Sequence, residues 1–246
     1  MQPMSGRKAL VTGATSGIGK AIAKRLAAEG ADVIVHGRDT ARGKGVVDEI
    51  TAEGGTAGFI TADLGDTADV ERLARQAGDV DILINNAGVY QFHDTAQMTD
   101  ELFGLHMDLN TRAPYVLVRT LAPGMVERGR GAIVNISTLA ASVPSAGTGM
   151  YAASKAALEQ LTRVWAAEYA ADGVRVNAVA PGPTRTAGTA EMDAATLAAI
   201  ADTTAMRRIA EPEEIAEAVM FLASDKASYI TGVVLEVAGG RRAIAD

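Results

Sequence analysis

The 246-residue chain predicts an α/β fold of the doubly wound kind: one domain over residues 1–246, with a parallel sheet of about seven strands covered by helices on both faces. Three observations predict it. Seven short apolar runs recur along the chain, helix-patterned segments separate them, and a glycine-rich turn follows the first run directly.

The strand runs are KALVTG (8–13), DVIVHG (32–37), TAGFITADL (56–64), DILINNAG (81–88), GAIVNIST (131–138), VRVNAVAPG (174–182) and GVVLEVAGG (232–240). They are nearly continuous in apolar residues, which marks strands buried on both faces of a parallel sheet. In 18–30, Ile18, Ile22 and Leu26 recur at helical spacing and Gly30 supplies a stop. From Met150 to Ala171, Leu158, Leu161 and Trp165 give a second helix its core face. Strand–helix alternation of this kind requires right-handed crossovers. No linker, low-complexity tract or fixed-period repeat interrupts it. Residues 184–208 break the rhythm: a long segment with a short helix-like piece, AATLAAIA, that reads either as a surface insertion or as a lid over a pocket.

Composition narrows the function. The net charge of −7 is spread without a basic stripe, which argues against nucleic acid as a partner. There is no cysteine, and the three histidines (His36, His93, His106) lack metal-ligand spacing, so no metal is expected. No apolar run reaches the roughly 18 residues of a membrane span, and the start lacks a charged segment followed by an apolar one. The expectation is a soluble cytoplasmic protein with no membrane partner.

Two stretches carry chemistry. In TGATSGIG (12–19), Gly13, Gly17 and Gly19 fall at a strand-to-helix turn, with Thr15, Ser16 and Ile18 between them. The spacing is not G-x-G-x-x-G, yet the physics is the same. Backbone N–H groups at a helix N-terminus, left open by glycine, suit a pyrophosphate. In NISTLAASVPSAGTGMYAASK (135–155), Tyr151 and Lys155 stand one helical turn apart, behind two adjacent hydroxyls, Ser137 and Thr138. A phenol titrates near 10, so proton transfer at neutral pH asks for a shift worth roughly 4 kcal/mol. An ammonium about 4 Å away offers a comparable magnitude at an effective dielectric near 20.

Taken together and in order, T-G-x-x-x-G-x-G at 12–19, NNAG at 85–88, Y-x-x-x-K at 151–155 and PG at 181–182 resemble the short-chain dehydrogenase/reductase family, over essentially Lys8 to Gly240. The resemblance implies an oxidoreductase moving a hydride between NAD(P) and a carbonyl or secondary alcohol. Tyr151 would be the general acid/base, Lys155 would also bind the nicotinamide ribose, and Asn110 would complete a proton relay through water. It places a hydroxyl thirteen residues before the tyrosine, at Thr138, with Ser137 as the alternative. Strand alternation also allows only one of that pair to face Tyr151.

For the cofactor, Gly37 stands where NAD-type relatives carry an acid, and Arg38 after it suits a 2′-phosphate, so NADP is favoured over NAD despite Asp39. Asp63 and Leu64 resemble an adenine-contacting pair. Pro181, Gly182, Thr184 and Thr186 resemble the nicotinamide-side loop. Asn86, Ala87 and Gly88 read either as ligand contacts or as strand-end amides tying backbones together.

A pocket over 89–98, 139–149 and 184–208 would present Val89, Tyr90, Phe92, His93, Leu139, Val143, Met150 and Met192, suiting a neutral small-molecule ketone or alcohol. A homotetramer is the family expectation. Two alternatives stay open: a dinucleotide-binding redox sensor or subunit without catalysis, and a 3-oxoacyl-carrier-protein reductase, for which Arg128 and Arg130 would stand near the active-site mouth.

Overall fold

A computed structural model describes residues 3–186, 189 and 192–241. Its centre is a seven-stranded sheet: β1 (Lys8–Val11), β2 (Asp32–Gly37), β3 (Thr56–Thr61), β4 (Ile82–Asn85), β5 (Gly131–Ile136), β6 (Val174–Pro181) and β7 (Val234–Val237). The spatial order is β3-β2-β1-β4-β5-β6-β7, and every pairing is parallel. All seven predicted runs are strands. Six of them stop short of the run, at Val11, Thr61, Asn85, Ile136, Pro181 and Val237. The residues by which these runs overshoot are loop residues at the carboxyl edge, and Gly13, Leu64, Asn86, Ala87, Gly88, Ser137, Thr138 and Gly182 among them line a crevice there.

Helices α1 (Gly17–Ala28), α2 (Thr40–Ala52), α3 (Thr67–Ala77), α4 (Asp100–Met107), α5 (Ala113–Glu127), α6 (Gly149–Tyr169), α7 (Ala194–Asp202) and α8 (Pro212–Ala223) complete the described residues, with a π-helical turn over Asp108–Arg112 between α4 and α5. Strand residues alternate between two cores. Val11, Ile84 and Val134 face α1, α2 and α8 through Ile22, Ile50 and Val219. Leu10, Leu83 and Ile133 face α3, α5 and α6 through Leu73, Leu117 and Leu158.

A buried polar chain fixes α6 against the sheet. Asn85 Nδ2 donates to Asn135 Oδ1, Asn135 Nδ2 to Thr162 Oγ1, and the Thr162 hydroxyl to the Leu158 carbonyl, each at 2.8 Å. In a low-dielectric interior such a chain, although Asn85 Oδ1 at its end is buried without a partner among the described residues, holds register firmly. It sets where the first turns of α6, carrying Tyr151 and Lys155, meet the sheet edge.

Candidate active site

The strand order reverses direction on either side of β1, whose neighbours are β2 and β4, and in open α/β sheets ligands bind outside the carboxyl ends at such a point. A crevice of about 820 Å³ lies there. Its floor comes from the loops after β1, β2, β3, β4, β5 and β6. No carboxylate lines it among the described residues, and its ionisable side chains include Arg38, Lys155 and Arg241.

The turn after β1 brings Gly13, Thr15, Ser16, Gly17, Ile18 and Gly19 to the crevice. Gly17 needs to be glycine because its φ is +52°, which side-chain-bearing residues rarely adopt. Gly19 needs to be glycine for space: a Cβ would stand 2.3 Å from the Gly13 carbonyl oxygen. Ser16 is the N-cap residue of α1, yet its hydroxyl caps nothing. The amides of Gly17, Ile18 and Gly19 precede the first main-chain bond of the helix, Lys20 N to Ser16 O at 3.1 Å.

The NNAG stretch serves this turn. Thr12 Oγ1 accepts from the amides of Asn86 at 3.0 Å and Ala87 at 3.1 Å, while Asn86 Nδ2 donates to the carbonyls of Thr12 and Gly13 at 2.9 and 3.1 Å. Ties between strand ends are therefore the direct role of Asn86; Asn86, Ala87 and Gly88 also line the crevice.

At the end of β2, Arg38 is exposed, lines the crevice and has no ion-pair partner among the described residues. Asp39 is engaged elsewhere: it caps α2 by accepting from Arg42 N at 3.0 Å and pairs with the Arg42 guanidinium at 3.4 Å. The Thr15 methyl fills the place a Gly37 side chain would start, 2.3 Å from that Cβ position. Leu64 is buried and lines the crevice. Asp63 does not; its carboxylate accepts from the Gly65 amide at 2.9 Å.

Tyr151, Lys155, Ser137 and Thr138 meet at the opposite wall. The two adjacent hydroxyls have different partners. Ser137 Oγ is buried and donates to Glu159 Oε1 at 2.6 Å. Thr138, two residues past the end of β5, is in extended conformation and accepts from the Ala140 amide at 3.3 Å; its hydroxyl stands near enough to the Tyr151 phenol to pull the phenol's pKa down.

Burial pushes the Tyr151 pKa up from 10; the Thr138 hydroxyl pulls it down and Tyr90 adds a smaller upward push. The sequence arithmetic expected the phenol to be lowered by Lys155, and here it is not. Burial dominates, and the ammonium is itself affected: desolvation lowers Lys155 to about 8. Its Nζ donates to the Ile136 carbonyl at 2.8 Å.

Asn110 occupies the π-helical turn and is fully buried. Its Oδ1 accepts from Val89 N at 2.9 Å; its Nδ2 donates to Val89 O at 3.0 Å and to Ser154 Oγ at 2.9 Å. It stands behind the crevice wall rather than on it. Between it and Lys155 is a notch: the point a Gly88 Cβ would occupy lies 2.7 Å from Asn110 Oδ1 and 3.2 Å from Lys155 Nζ.

On the open side, Val89, Tyr90, Phe92, Leu139, Met192 and Ile200 line the crevice together with Ser145, Thr148 and Thr189. His93, Val143 and Met150, expected there, do not. Phe92 meets the Tyr151 ring edge-on at 5.8 Å. Pro181, Gly182, Thr184 and Thr186 line the remaining wall. Segment 184–208 is pinned at its two ends by a parallel bridge between Thr184 and Ala210, and α7 lies within it; positions 187, 188, 190 and 191 fall outside the described residues.

One expectation is corrected outright. Arg128 and Arg130 precede β5, at the amino edge of the sheet opposite the crevice, and are paired with Asp79 and Asp81. The turn before a strand and the site after it are separated by the strand's own length, roughly 20 Å for six residues.

Sequence reasoning missed three residues: His36, whose buried ring contacts the glycine turn; Glu159, partner of Ser137; and Ser154, which steadies Asn110. A signal existed for the last two. The buried face of α6 reads Ser154, Lys155, Leu158, Glu159, Thr162, too polar for a helix that only packs.

Comparison with known proteins agrees with this fold. A family model described as enoyl-(acyl carrier protein) reductase matches residues 13–242. The human protein dehydrogenase/reductase SDR family member 4 is 38% identical over 245 residues, covering 97% of this chain and 88% of its own length. A solved short chain dehydrogenase/reductase family protein is 52% identical with a TM-score of 0.92, covering 99% of this chain and all of its own. A 3-oxoacyl (acyl-carrier-protein) reductase from Agrobacterium tumefaciens C58, solved with NADP bound, is 33% identical with a TM-score of 0.94 over 96% of this chain and 95% of its own. Sequence and architecture agree over nearly the full length, and the chain belongs to the short-chain dehydrogenase/reductase family of oxidoreductases.

Proposed function

We propose that the crevice binds NADP(H) and that the enzyme interconverts a neutral carbonyl compound and its secondary alcohol, with Tyr151 as general acid/base. The residues suit this dinucleotide. Free amides at the α1 N-terminus favour a pyrophosphate, no carboxylate among the described lining residues opposes its charge, and Arg38 is unpaired while Asp39 is engaged as a helix cap. The relative solved with NADP supports the same choice. When bound, the nicotinamide supplies or accepts the hydride.

The chain's own residues handle the proton and the oxygen. In the reductive direction Tyr151 keeps its proton, because burial raises its pKa, and delivers it from Oη to the substrate oxygen. Thr138 Oγ1, beside the phenol, donates a hydrogen bond to that oxygen and fixes its position. The notch beside Gly88 holds a water between Asn110 Oδ1 and Lys155 Nζ, through which the proton is replaced. Lys155 would also hold the ribose hydroxyls, and Pro181, Gly182, Thr184 and Thr186, which line the crevice, would flank the nicotinamide. Segment 184–208 acts as a lid whose Met192 and Ile200 close the apolar side.

The observation carrying this reading is the placing of the Tyr151 and Thr138 hydroxyls together on the wall of a dinucleotide-sized crevice. Arg128 and Arg130 lend no support to carrier-protein docking at the mouth, so free ketones are the favoured substrates. A single 1–246 unit assembled as a cytoplasmic homotetramer completes the reading. Exposed Phe103 and Tyr115 on α4 and α5, and Tyr229 and Val233 near β7, offer two separate contact surfaces. No helix among the described residues is long and apolar enough to cross a membrane.

The test is NADPH oxidation across a panel of cyclic, aryl and linear ketones. Turnover by the wild type with none by Tyr151→Phe supports the reading; binding with no turnover of any carbonyl defeats it. Light scattering at a mass other than four chains removes the tetramer.

A further inference from the structure

We propose that His36 is a positioning residue of the dinucleotide cradle, its imidazole fixing the first amide of the glycine turn. The inference rests on the reading of the crevice as a dinucleotide site and adds to it a residue that no motif names.

His36 is the penultimate residue of β2, buried, with its ring at the crevice wall. Its Nδ1 accepts from the Gly13 amide at 3.3 Å, and its Nε2 faces the Ala62 carbonyl oxygen at 3.2 Å. An amide can only donate and a carbonyl can only accept, so the ring is neutral with its proton on Nε2. The main chain of the same residue takes the next amide, Ala14 N to His36 O at 2.8 Å. One residue therefore absorbs two consecutive N–H groups of the turn.

From the other side Asn86 Nδ2 holds the Gly13 carbonyl. Gly13, at φ +63°, is thus clamped at both of its polar groups. The amides of Gly13 and Ala14 are thus spent inside the protein, and Gly17, Ile18 and Gly19, at the start of α1, are among those left for a phosphate. The direction in which the α1 N-terminus aims depends on this clamp. His36 also lies two residues before Arg38, so one ring ties the pyrophosphate turn to the loop that would read the adenosine phosphate.

The charged groups acting on the ring are Asp69 and Arg72 of α3, which pair with each other. Burial dominates over both and lowers the imidazole to about 4, so it stays a neutral acceptor at physiological pH.

In His36→Leu the new side chain would pack in this place but offer Gly13 nothing, whereas in His36→Asn the amide oxygen would overlay Nδ1. The experiment measures dissociation constants for NADPH and NADH by calorimetry on wild type, His36→Leu, His36→Asn and Arg38→Ala. A turn that loses the anchor of one buried amide must be re-ordered when the dinucleotide binds, and an ordering cost on the scale of that lost bond reads as roughly tenfold in affinity. His36→Leu should weaken both dinucleotides by about that factor, His36→Asn should stay within about threefold of wild type, and Arg38→Ala should weaken NADPH alone. If His36→Leu fails to fold, His36→Gln replaces it, since Gln retains a polar group near Nε2 but withdraws the acceptor from Gly13. Wild-type affinity in the Leu or Gln variant, or equal loss in that variant and in His36→Asn, overturns the positioning role. Failure of the wild type to bind either dinucleotide overturns the reading of the crevice, and this inference with it.

Discussion

Ser137 Oγ donates to Glu159 Oε1 at 2.6 Å, and this bond separates two hydroxyls that are neighbours in the chain. With Ser137 turned to a buried carboxylate, Thr138 is left to meet the Tyr151 phenol. Thr138→Ala should lower kcat/KM by about 100-fold, the scale of losing one preorganised donor to a reacting oxygen. Ser137→Ala should change turnover by no more than about threefold. It should instead destabilise the fold by ~1–3 kcal/mol in urea melts, because Glu159 loses its buried donor. Equal kinetic tolerance of the two alanines would defeat the assignment.

The proposed choice of NADP rests on the end of β2, where Arg38 has no ion-pair partner among the described residues and Asp39 is held by α2. A charge-assisted bond to phosphate contributes roughly 1.5–3 kcal/mol. Arg38→Ala should therefore raise KM for NADPH by about tenfold to a hundredfold and leave KM for NADH within about twofold. Steady-state kinetics with both cofactors checks this, and a parallel loss for the two would remove the phosphate role.

Much of this was legible in the sequence, and the divide follows from what each signal depends on. Strands and the glycine turn follow from local physics. A strand covered on both faces must be apolar along its length, and a turn at φ +52° must use glycine at Gly17, so both leave marks in a few consecutive residues. Tyr151 and Lys155 were legible because a helix fixes i and i+4 on one face. Long-range bonds leave no such mark. Ser137 meets Glu159 from a different element, and His36 meets Gly13 across two strands. The π-helical turn that aims Asn110 at Val89 is likewise set by packing rather than by propensity. Arg128 and Arg130 were misplaced for a related reason: a motif-like cluster says nothing about which edge of the sheet it occupies.

Lys155 is buried at a cost to stability. Desolvation lowers its pKa to about 8 from an unfolded value of 10.5, and its one bond, to Ile136 O, does not compensate. Between about 8 and 10.5 the unfolded chain binds more protons than the native one, so this residue makes stability rise with pH through that window. Below about 8 both states are charged and the whole penalty, roughly 3 kcal/mol, applies. Lys155→Met should raise the unfolding free energy by about 1–2 kcal/mol at pH 7 while abolishing turnover, and should flatten the rise from pH 8 to 10. Urea denaturation at the two pH values tests this; a less stable variant at pH 7 would mean that the bond to Ile136 outweighs the buried charge.

Gly88 separates the two polar groups of the proposed relay, Asn110 and Lys155. A Cβ there would stand 2.7 Å from Asn110 Oδ1, closer than real side chains approach, and 3.2 Å from Lys155 Nζ. Asn110 cannot yield, because its three bonds to Val89 and Ser154 hold both ends of the amide. The added methyl of Gly88→Ala must therefore displace the ammonium and fill the notch proposed for water. Since Gly88 is absent from the positive-φ glycines, the effect is one of space and not of backbone strain. The variant should lose roughly 10²–10⁴ in kcat, the scale of general acid–base catalysis, while a dinucleotide held mainly at the α1 N-terminus and Arg38 binds within about fivefold of wild type. Calorimetry and single-turnover kinetics on the same preparation separate the two quantities. Near-normal kcat in a folded Gly88→Ala protein would show that no proton passes between Asn110 and Lys155.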